Sequence, residues 1–281
     1  MAITELPEYA HLSDEDLEAF AADLEAIRCD IEVSRGAKDR AYIVRAIAFQ
    51  RCLEIAARLV IATSRGKRGW AVGTAALAAA KCIENMELGH NVSHGQWDWM
   101  NDPEIHSSTG LSSQWQHSHN YRHHVFANVV GVDDDLGFGI MRVTRDENWQ
   151  RGALVQPLRA VLLALLFEWG VALHCLYSVQ EREKTAAGKS AHAKALRRKI
   201  ARQVGKDYVL FPMLSRRRWR RTLGANVVAN GLRNAWAYLV IVCGHFTDGA
   251  EKFTEAVLED ETKAAWYLRQ MLGTETSTPD R

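Results

Sequence analysis

The chain has 281 residues, enough for one large domain or two small ones, and its 47% hydrophobic content can fill a core or several membrane segments. The net charge of +1 hides an asymmetry, because residues 1–33 carry ten acids and one base whereas residues 181–221 carry fourteen bases and three acids. The five cysteines are scattered without a Cys-x-x-Cys pair, which argues against a disulfide framework and a structural zinc site.

The first predicted element is an amphipathic helix that begins after Ser13. Ser13 suits an N-cap, Asp16 follows three positions later, and acids fill the first turn. Apolar residues recur along this helix at helical spacing: Leu17, Phe20, Leu24, Ile27 and Ile31. We interpret residues 1–40 as an acidic cytosolic segment that packs or docks without chemistry of its own. This segment has acids where a secretory signal peptide has a basic region, so we expect no signal peptide.

Four apolar stretches follow, at residues 46–63, 70–86, 153–179 and 225–247. A membrane-spanning helix needs about 20 mostly apolar residues, and none of the four is free of charge. The last two have the right length. The segment 181–221 between them is basic, which predicts a loop on the cytoplasmic side under the positive-inside rule. These observations favour a membrane protein, and we expect no nucleic-acid partner.

More than half of the 11 histidines lie within residues 90–124. His90 and His94 are four residues apart, so both imidazoles project from one helical face, and His119 and His123 repeat that spacing. His124 lies about 100° further round an α-helix, which points it elsewhere. Together these residues form a cage with enough nitrogen donors for two metal ions, and imidazole suits zinc, copper, iron or nickel.

Two other kinds of metal site are excluded by the residues between the histidines. A zinc protease needs His-Glu-x-x-His, but Asn91 and Val92 occupy the two positions after His90. Soluble di-iron bundles use Glu-x-x-His, which is also missing here. The isolated histidines His11, His174 and His192 are interpreted as having no functional role.

The sequence segments around the histidines resemble those of a known family. "HNVSHGQWDWMNDPEIHSST" (90–109), "HSHNYRHH" (117–124) and "CGHFTDGAEKF" (243–253) are similar to membrane fatty-acid desaturases of the acyl-CoA and acyl-lipid branch. The resemblance extends from about residue 40 to about residue 273. The histidine boxes themselves are shared with alkane hydroxylases and with sterol and carotenoid oxygenases.

This resemblance implies an all-α integral membrane bundle of about four membrane helices, with a cytosolic helical cap that carries the histidine boxes. It implies a di-iron centre that uses O₂, and electrons from a ferredoxin or flavin reductase, to desaturate an acyl-CoA or acyl-lipid. No catalytic residue is expected beyond the metal ligands. The implied ligands are His90, His94, His119, His123, His124 and His245. The residues expected to orient those ligands are Asp98, Asp102, His117 and Asp248.

The chain departs from the family pattern in two places. The connection before the second box is short, and no histidine follows His245, where the family has a third box. We therefore interpret residues 41–273 as an incomplete desaturase domain and residues 274–281 as a polar tail, and we expect impaired or absent activity. The alternatives are a non-catalytic membrane remnant of a desaturase gene and a related di-iron hydroxylase. A further alternative is that another polypeptide supplies the remaining ligands.

Overall fold

The computed structural model describes residues 11–95, 112–144, 148–246 and 250–273. Helices account for most of these ranges, and within them no strand forms apart from an isolated parallel bridge between Val129 and Phe253. The expected all-α fold is therefore confirmed.

The α-helices are α1 (Asp14–Ser34), α2 (Ala37–Thr63), α3 (Lys67–Cys82), α4 (His90–Ser93), α5 (Ser112–Trp115), α6 (Gln156–Arg182), α7 (Ala186–Val204), α8 (Phe211–Leu214), α9 (Trp219–His245) and α10 (Lys263–Leu272). Three π-helices, here π1 to π3, join some of them: Ile83–Gly89, Gln116–His123 and Gly205–Leu210. Short 3₁₀ turns cover Leu136–Gly139, Arg151–Val155, Arg216–Arg218 and Glu255–Leu258.

Helix α1 begins where its sequence predicts. The Ser13 side chain accepts a hydrogen bond from the Asp16 N–H, and the Asp16 carboxylate accepts one from the Ser13 N–H, which forms a capping box. Leu17 and Ala21 then pack into a small apolar cluster with α10, including Leu268. The acidic N-terminal segment thus docks on helix α10.

The main bundle is built on α2, α3, α6 and α9. Helices α2 and α3 form an antiparallel pair, and α9 packs along α3, where Ala225 and Ala229 are fully buried against Leu77. Small side chains at this contact let the helix backbones approach closely. Further along α9, its other neighbour is α6, and the ring of Phe167 meets that of Tyr238.

The basic segment 181–221 is mostly helical, not the loop expected from its composition. Helix α7, π3 and α8 run back along the bundle, with the first turns of α7 near Gln114 and π3 against the middle of α9. Asp207 of π3 is fully buried and binds Lys81 of α3 at 2.6 Å. This buried ion pair fixes π3 in the interior, whereas the apolar residues just beyond it are exposed, namely Val209, Leu210, Met213 and Leu214.

The bundle carries polar side chains inside and apolar ones outside. Helix α9 shows this clearly. Its buried polar residues are Asn226, Asn230, Arg233 and Asn234, and its exposed apolar residues are Val227, Val228, Leu232, Trp236, Leu239 and Val240. This distribution is the reverse of that in a water-soluble helix bundle.

One helix among the described residues has the length and apolar composition to cross a membrane, namely Arg151–Arg182. Hydropathy averaged along α9 or α2 is lowered by polar residues that face the interior. The expectation of about four membrane helices stays a prediction.

Helix α9 fixes the position of the histidines relative to the arginines. Its 27 residues make it about 40 Å long, with Trp219 at its start and His245 at its end. The start of α9 lies beside the turn between α2 and α3, since Arg221 donates to the carbonyl oxygen of Gly66 at 2.7 Å. The histidine cluster and the arginines Arg216–Arg221 therefore occupy opposite ends of the bundle. If the bundle spans a membrane, the two ends cannot both face the cytoplasm, although the sequence leads us to expect both on that side.

Candidate metal centre

Three helical segments end at one cluster of imidazoles. Helix α4 ends at its C-cap His94, π2 ends at its C-cap His124, and α9 ends at His245. The Nε2 atoms approach in pairs: His90 and His94 at 3.1 Å, His119 and His124 at 3.2 Å, and His123 and His245 at 2.9 Å. All six ligands implied by the sequence resemblance thus converge in space.

The six imidazoles form two overlapping groups. The ligand nitrogens of His90, His94 and His119 lie within 4.8 Å of one another, and those of His119, His123 and His124 do the same. Groups of three imidazole nitrogens at this spacing can each hold a transition-metal ion. The cluster is therefore suited to two ions.

The position of His124 differs from the prediction, which pointed it away from the other ligands. The reason is the π-helical geometry of residues 116–123, in which hydrogen bonds join residues five apart. This winding brings His124 onto the same face as His119, its neighbour at i−5. Such π-helical turns are rare and often mark functional sites.

Two buried aspartates fix the orientation of two ligands. The His119 Nδ1–H donates to Asp135 at 2.5 Å, and the His123 Nδ1–H donates to Asp133 at 2.9 and 3.0 Å. Asp133 is itself held by the backbone N–H groups of Asn128 and Asp135, each at 2.9 Å. Carboxylates that hold the outer nitrogen of a histidine are a regular feature of metal sites.

The nitrogen atoms that face the centre of the cluster fit a bound cation. His123 donates through Nδ1 to Asp133, and His245 donates through Nδ1 to the carbonyl oxygen of Ile241 at 2.8 Å. Each Nε2 therefore presents a lone pair, yet the two Nε2 atoms are 2.9 Å apart. Two acceptors cannot bond to each other, so this pair needs a proton or a metal ion between them, and six converging donors favour the metal.

Burial keeps His90, His94 and His124 neutral at physiological pH. Burial lowers the pKa of His90 and of His94 to about 4, with help from neighbouring imidazoles. Burial, followed by His119 and His123, lowers the pKa of His124 to about 3. Neutral imidazole is the form that binds metals.

Trp115 forms a wall of the cluster. Its ring stacks on His119 with centroids 3.9 Å apart and meets His90 and His94 edge-on at 5.5 and 5.1 Å. Trp115 is 6% exposed, so it keeps water from this side. On another side, Asn120 donates to the Ser93 carbonyl oxygen at 3.0 Å and ties π2 to α4.

Sequence reasoning missed Trp115, Asp133 and Asp135. The run Asp133–Asp135 follows the second box by nine residues and reads as a solvated turn. An acidic triplet so soon after a histidine box was the available signal, because metal-bound histidines usually have carboxylate partners.

The residues that were predicted to orient the ligands have different outcomes. Asp98, Asp102 and Asp248 lie outside the described residues. The Nδ1 of His117 accepts a hydrogen bond from Arg182 at 2.7 Å, and its ring stacks with Tyr121. His174, set aside from the sequence, lies 3.7 Å from Asp135, the partner of His119.

Comparison with known proteins assigns the fold and cluster to a family. Residues 68–281 match the family model described as fatty acid desaturase. The chain belongs to the fatty acid desaturase family. Two curated relatives, both named NADPH-dependent stearoyl-CoA 9-desaturase, come from Mycobacterium tuberculosis strains CDC 1551 / Oshkosh and ATCC 25618 / H37Rv. Each is 51% identical to this desaturase-family chain over 286 aligned positions.

The alignment covers 97% of this chain and 67% of each relative. No solved structure matches the chain. Assignment to the desaturase family therefore rests on sequence, and it agrees with the all-helical fold and the histidine cluster.

Proposed function

We propose that this desaturase-family chain acts in the O₂-dependent introduction of a double bond into an acyl chain, at a di-iron centre. Its ligands are His90, His94, His119, His123, His124 and His245. The observation that carries this proposal is the 2.9 Å approach of the Nε2 atoms of His123 and His245, whose Nδ1 atoms both donate elsewhere. Membership of the desaturase family supports iron rather than another metal.

Bound iron supplies the oxidising power that breaks an unactivated C–H bond, which no side chain provides. The side chains set the conditions for that chemistry. Asp133 and Asp135 hold the Nδ1 protons of His123 and His119, which leaves both Nε2 lone pairs directed at the centre. Trp115 excludes water from the same space.

We propose an acyl group carried on coenzyme A as the substrate class. Support comes from the two relatives named stearoyl-CoA 9-desaturase, which are 51% identical to this chain. Their names also include NADPH dependence, so a reduced flavin or ferredoxin-type protein that passes electrons from NADPH is the proposed partner.

We also propose that the bundle is embedded in the cell membrane with the histidine end on the cytoplasmic side. The support is the inside-out distribution of side chains, which leaves an apolar outer surface on α2, α6 and α9. A membrane is the environment that accepts such a surface. Alkaline carbonate extraction tests this: the protein stays in the membrane pellet if embedded, and release into the soluble fraction would refute the embedding.

The metal assignment is tested by the iron content of the purified chain. We expect iron in the wild type, little in His123→Ala, and wild-type content in His192→Ala. His192 is the matched control because it lies on α7 outside the cluster. Equal iron content in the two variants, or zinc in place of iron in the wild type, would contradict the proposal.

Activity is tested by expression of residues 1–281 with a reductase system, followed by profiling of cellular lipids. Six imidazoles are fewer donors than the desaturase resemblance implies for two irons, so we expect weak desaturation, seen as a small amount of a new unsaturated species that is missing in His123→Ala. No such species in the wild type would contradict catalysis by these six ligands. A hydroxylated product would favour the hydroxylase alternative.

A further inference from the structure

The end of the bundle opposite the histidines is strongly cationic. Residues 64–70 and 211–224 contain eight Lys or Arg residues and no Asp or Glu. The eight cations are Arg65, Lys67, Arg68, Arg216, Arg217, Arg218, Arg220 and Arg221. Among the described residues none of them forms an ion pair with a carboxylate, so that part of the chain does not balance this charge.

Two of these arginines hold the end together. Arg218 donates to the carbonyl oxygen of Ala62 at 2.8 Å and to that of Thr63, at the C-terminus of α2. Arg221 donates to the carbonyl oxygens of Arg65 at 3.1 Å and Gly66 at 2.7 Å. These bonds fix the start of α9 against the turn between α2 and α3.

The other six cations are exposed, and two of them, Lys67 and Arg220, line a hollow together with Arg221. A cavity of about 320 Å³ is lined by Lys67, Trp70, Arg220, Arg221 and Gly224. The Arg220 guanidinium lies 5.2 Å from the ring of Trp219, which is 45% exposed. Arg and Trp side chains together at one level are typical of the interface between hydrocarbon and lipid headgroups.

An exposed apolar strip adjoins this hollow on the same face of α9. Val227 and Val228 lie three and four residues after Gly224, which lines the hollow, so they continue its face along the helix. They are 53% and 40% exposed. A separate apolar groove, which Thr222 and Asn226 line, lies on the other side of α9.

We propose that this end of the molecule is a binding site for an anionic phospholipid. The headgroup phosphate binds in the cavity among Lys67, Arg220 and Arg221, and Arg217 adds to the surrounding positive potential. One acyl chain lies along α9 beside Val227 and Val228. The site has no part in metal binding or turnover, because α9 separates it from His245 by about 40 Å.

Charge decides the class of ligand. Each Lys or Arg near an anionic lipid surface contributes about 1 kcal/mol of attraction, roughly a fivefold gain in affinity. A neutral headgroup gains nothing comparable from eight unbalanced cations. The adjoining apolar strip of α9 favours a ligand that has an apolar tail over a free phosphate ester.

The experiment counts lipids bound to the detergent-solubilised full chain by native mass spectrometry. Phosphatidylglycerol and phosphatidylcholine with the same acyl chains are titrated separately. The test variant is Lys67→Gln/Arg217→Gln/Arg220→Gln, which spares Arg218 and Arg221 because they hold the helix ends. The control is Lys189→Gln/Lys194→Gln/Arg197→Gln, which removes equal charge from exposed positions of α7. Thermal melting verifies that both variants are folded.

We expect tight binding of phosphatidylglycerol, weak binding of phosphatidylcholine, and at least a roughly tenfold loss of phosphatidylglycerol affinity in the test variant only. Equal binding of the two lipids, or equal loss in both variants, would overturn the site. Should the triple variant fail to fold, Arg217→Gln alone at its exposed position replaces it, with a smaller loss expected and an unchanged affinity counting against the site. Displacement of phosphatidylglycerol by equimolar coenzyme A or inorganic phosphate would identify a soluble phosphate ligand instead and refute the lipid.

Discussion

At the scale of single residues, the cluster depends on which nitrogen of each histidine carries the proton. Asp133 and Asp135 accept from Nδ1 of His123 and His119, so these two rings cannot turn their protons toward the centre. Asp135 shows how strongly the pairing acts. Burial would raise the pKa of Asp135, but the hydrogen bond and charge of His119 hold it at about 2.

Asp133→Asn is therefore expected to weaken iron binding by about 10–100-fold, as the loss of other partners of metal-bound histidines does. An amide presents either an oxygen or an NH₂ group to His123, which leaves the proton position undetermined. The measurement is the iron content after dialysis against a graded series of chelator concentrations.

Asp134→Asn is the matched control for that variant. Asp134 lies between the two aspartates but pairs with Arg122 at 3.1 Å and accepts from Ser178 at 2.5 Å, away from the histidines. If Asp134→Asn loses as much iron as Asp133→Asn, the effect comes from the loop as a whole and not from control of the proton.

The sequence predicted the six candidate ligands: two pairs came from helical spacing, which is a local property, and the family resemblance assigned His124 and His245 as ligands. The sequence did not locate Asp133, Asp135 or Trp115. Those contacts arise where residues 124–135 fold back over π2, and the direction of a loop is set by tertiary packing. Asp98, Asp102 and Asp248 remain predictions.

At the scale of elements, the π-helix spanning residues 116–123 places His119 and His124 on one face. Replacement of the half-exposed Tyr121 by two alanines adds one residue between His119 and His124 and should turn His124 away from His119 in either helical winding. We expect loss of iron with the helical content retained, measured by metal analysis and circular dichroism. Tyr121→Ala removes the same ring but keeps the spacing, so iron loss in that variant would refute the role of the winding.

A second prediction concerns the docking of α1 on α10. Lys263, Tyr267 and Arg28 donate to Glu25, and these bonds hold the pKa of Glu25 at about 2, below its usual 4.5. Because folding lowers this pKa, the contact stabilises the docked helix above pH 4.5, and its contribution is lost as the pH falls toward 2.

The amide protection of α1, corrected for intrinsic exchange rates, should therefore decrease between pH 5 and pH 3, because the Glu25 contact is lost over the pH range between its usual pKa and its lowered pKa. Glu25→Gln should show lower protection at pH 5 and a smaller change with pH. A Glu25→Gln protein with the pH dependence of the wild type would contradict this account of docking.

The apolar stretches became α2, α3, α6 and α9, with boundaries shifted by up to nine residues. The helices of 181–214 were missed because their many bases are typical of a solvated loop. Nothing local in that segment shows that Asp207 pairs with Lys81, 126 residues away along the chain.

At the scale of the whole molecule, the ion pair of Asp207 and Lys81 is the centre of a buried network. Asp207 also binds Arg58 at 3.2 Å and Asn230 at 3.2 Å, which links α2, α3, π3 and α9. Asp207→Ala should destabilise the protein by about 3–5 kcal/mol, because it leaves the buried Lys81 without its counter-charge, whereas Arg58 keeps its pairing with Glu54.

Thermal unfolding in detergent measures that loss. The double variant Asp207→Leu/Lys81→Met should recover part of it, since removal of both members of a buried pair is far less costly than removal of one. A melting temperature of Asp207→Ala equal to that of the wild type would show that the network does not hold the bundle together.

The direction of three helical segments gives the histidine end of the molecule a negative electrical pole. The helix that ends at His94, π2 ending at His124 and α9 ending at His245 all direct their C-terminal carbonyls at the histidine cluster. Each such terminus carries about half a negative elementary charge, effective over the last turn. Neutral imidazoles contribute no charge of their own, so these termini add to the carboxylates of Asp133 and Asp135 in attracting metal cations. Helices α3 and α9 begin at the opposite end, where their two positive poles favour a phosphate and outnumber the negative pole of α2, which ends there.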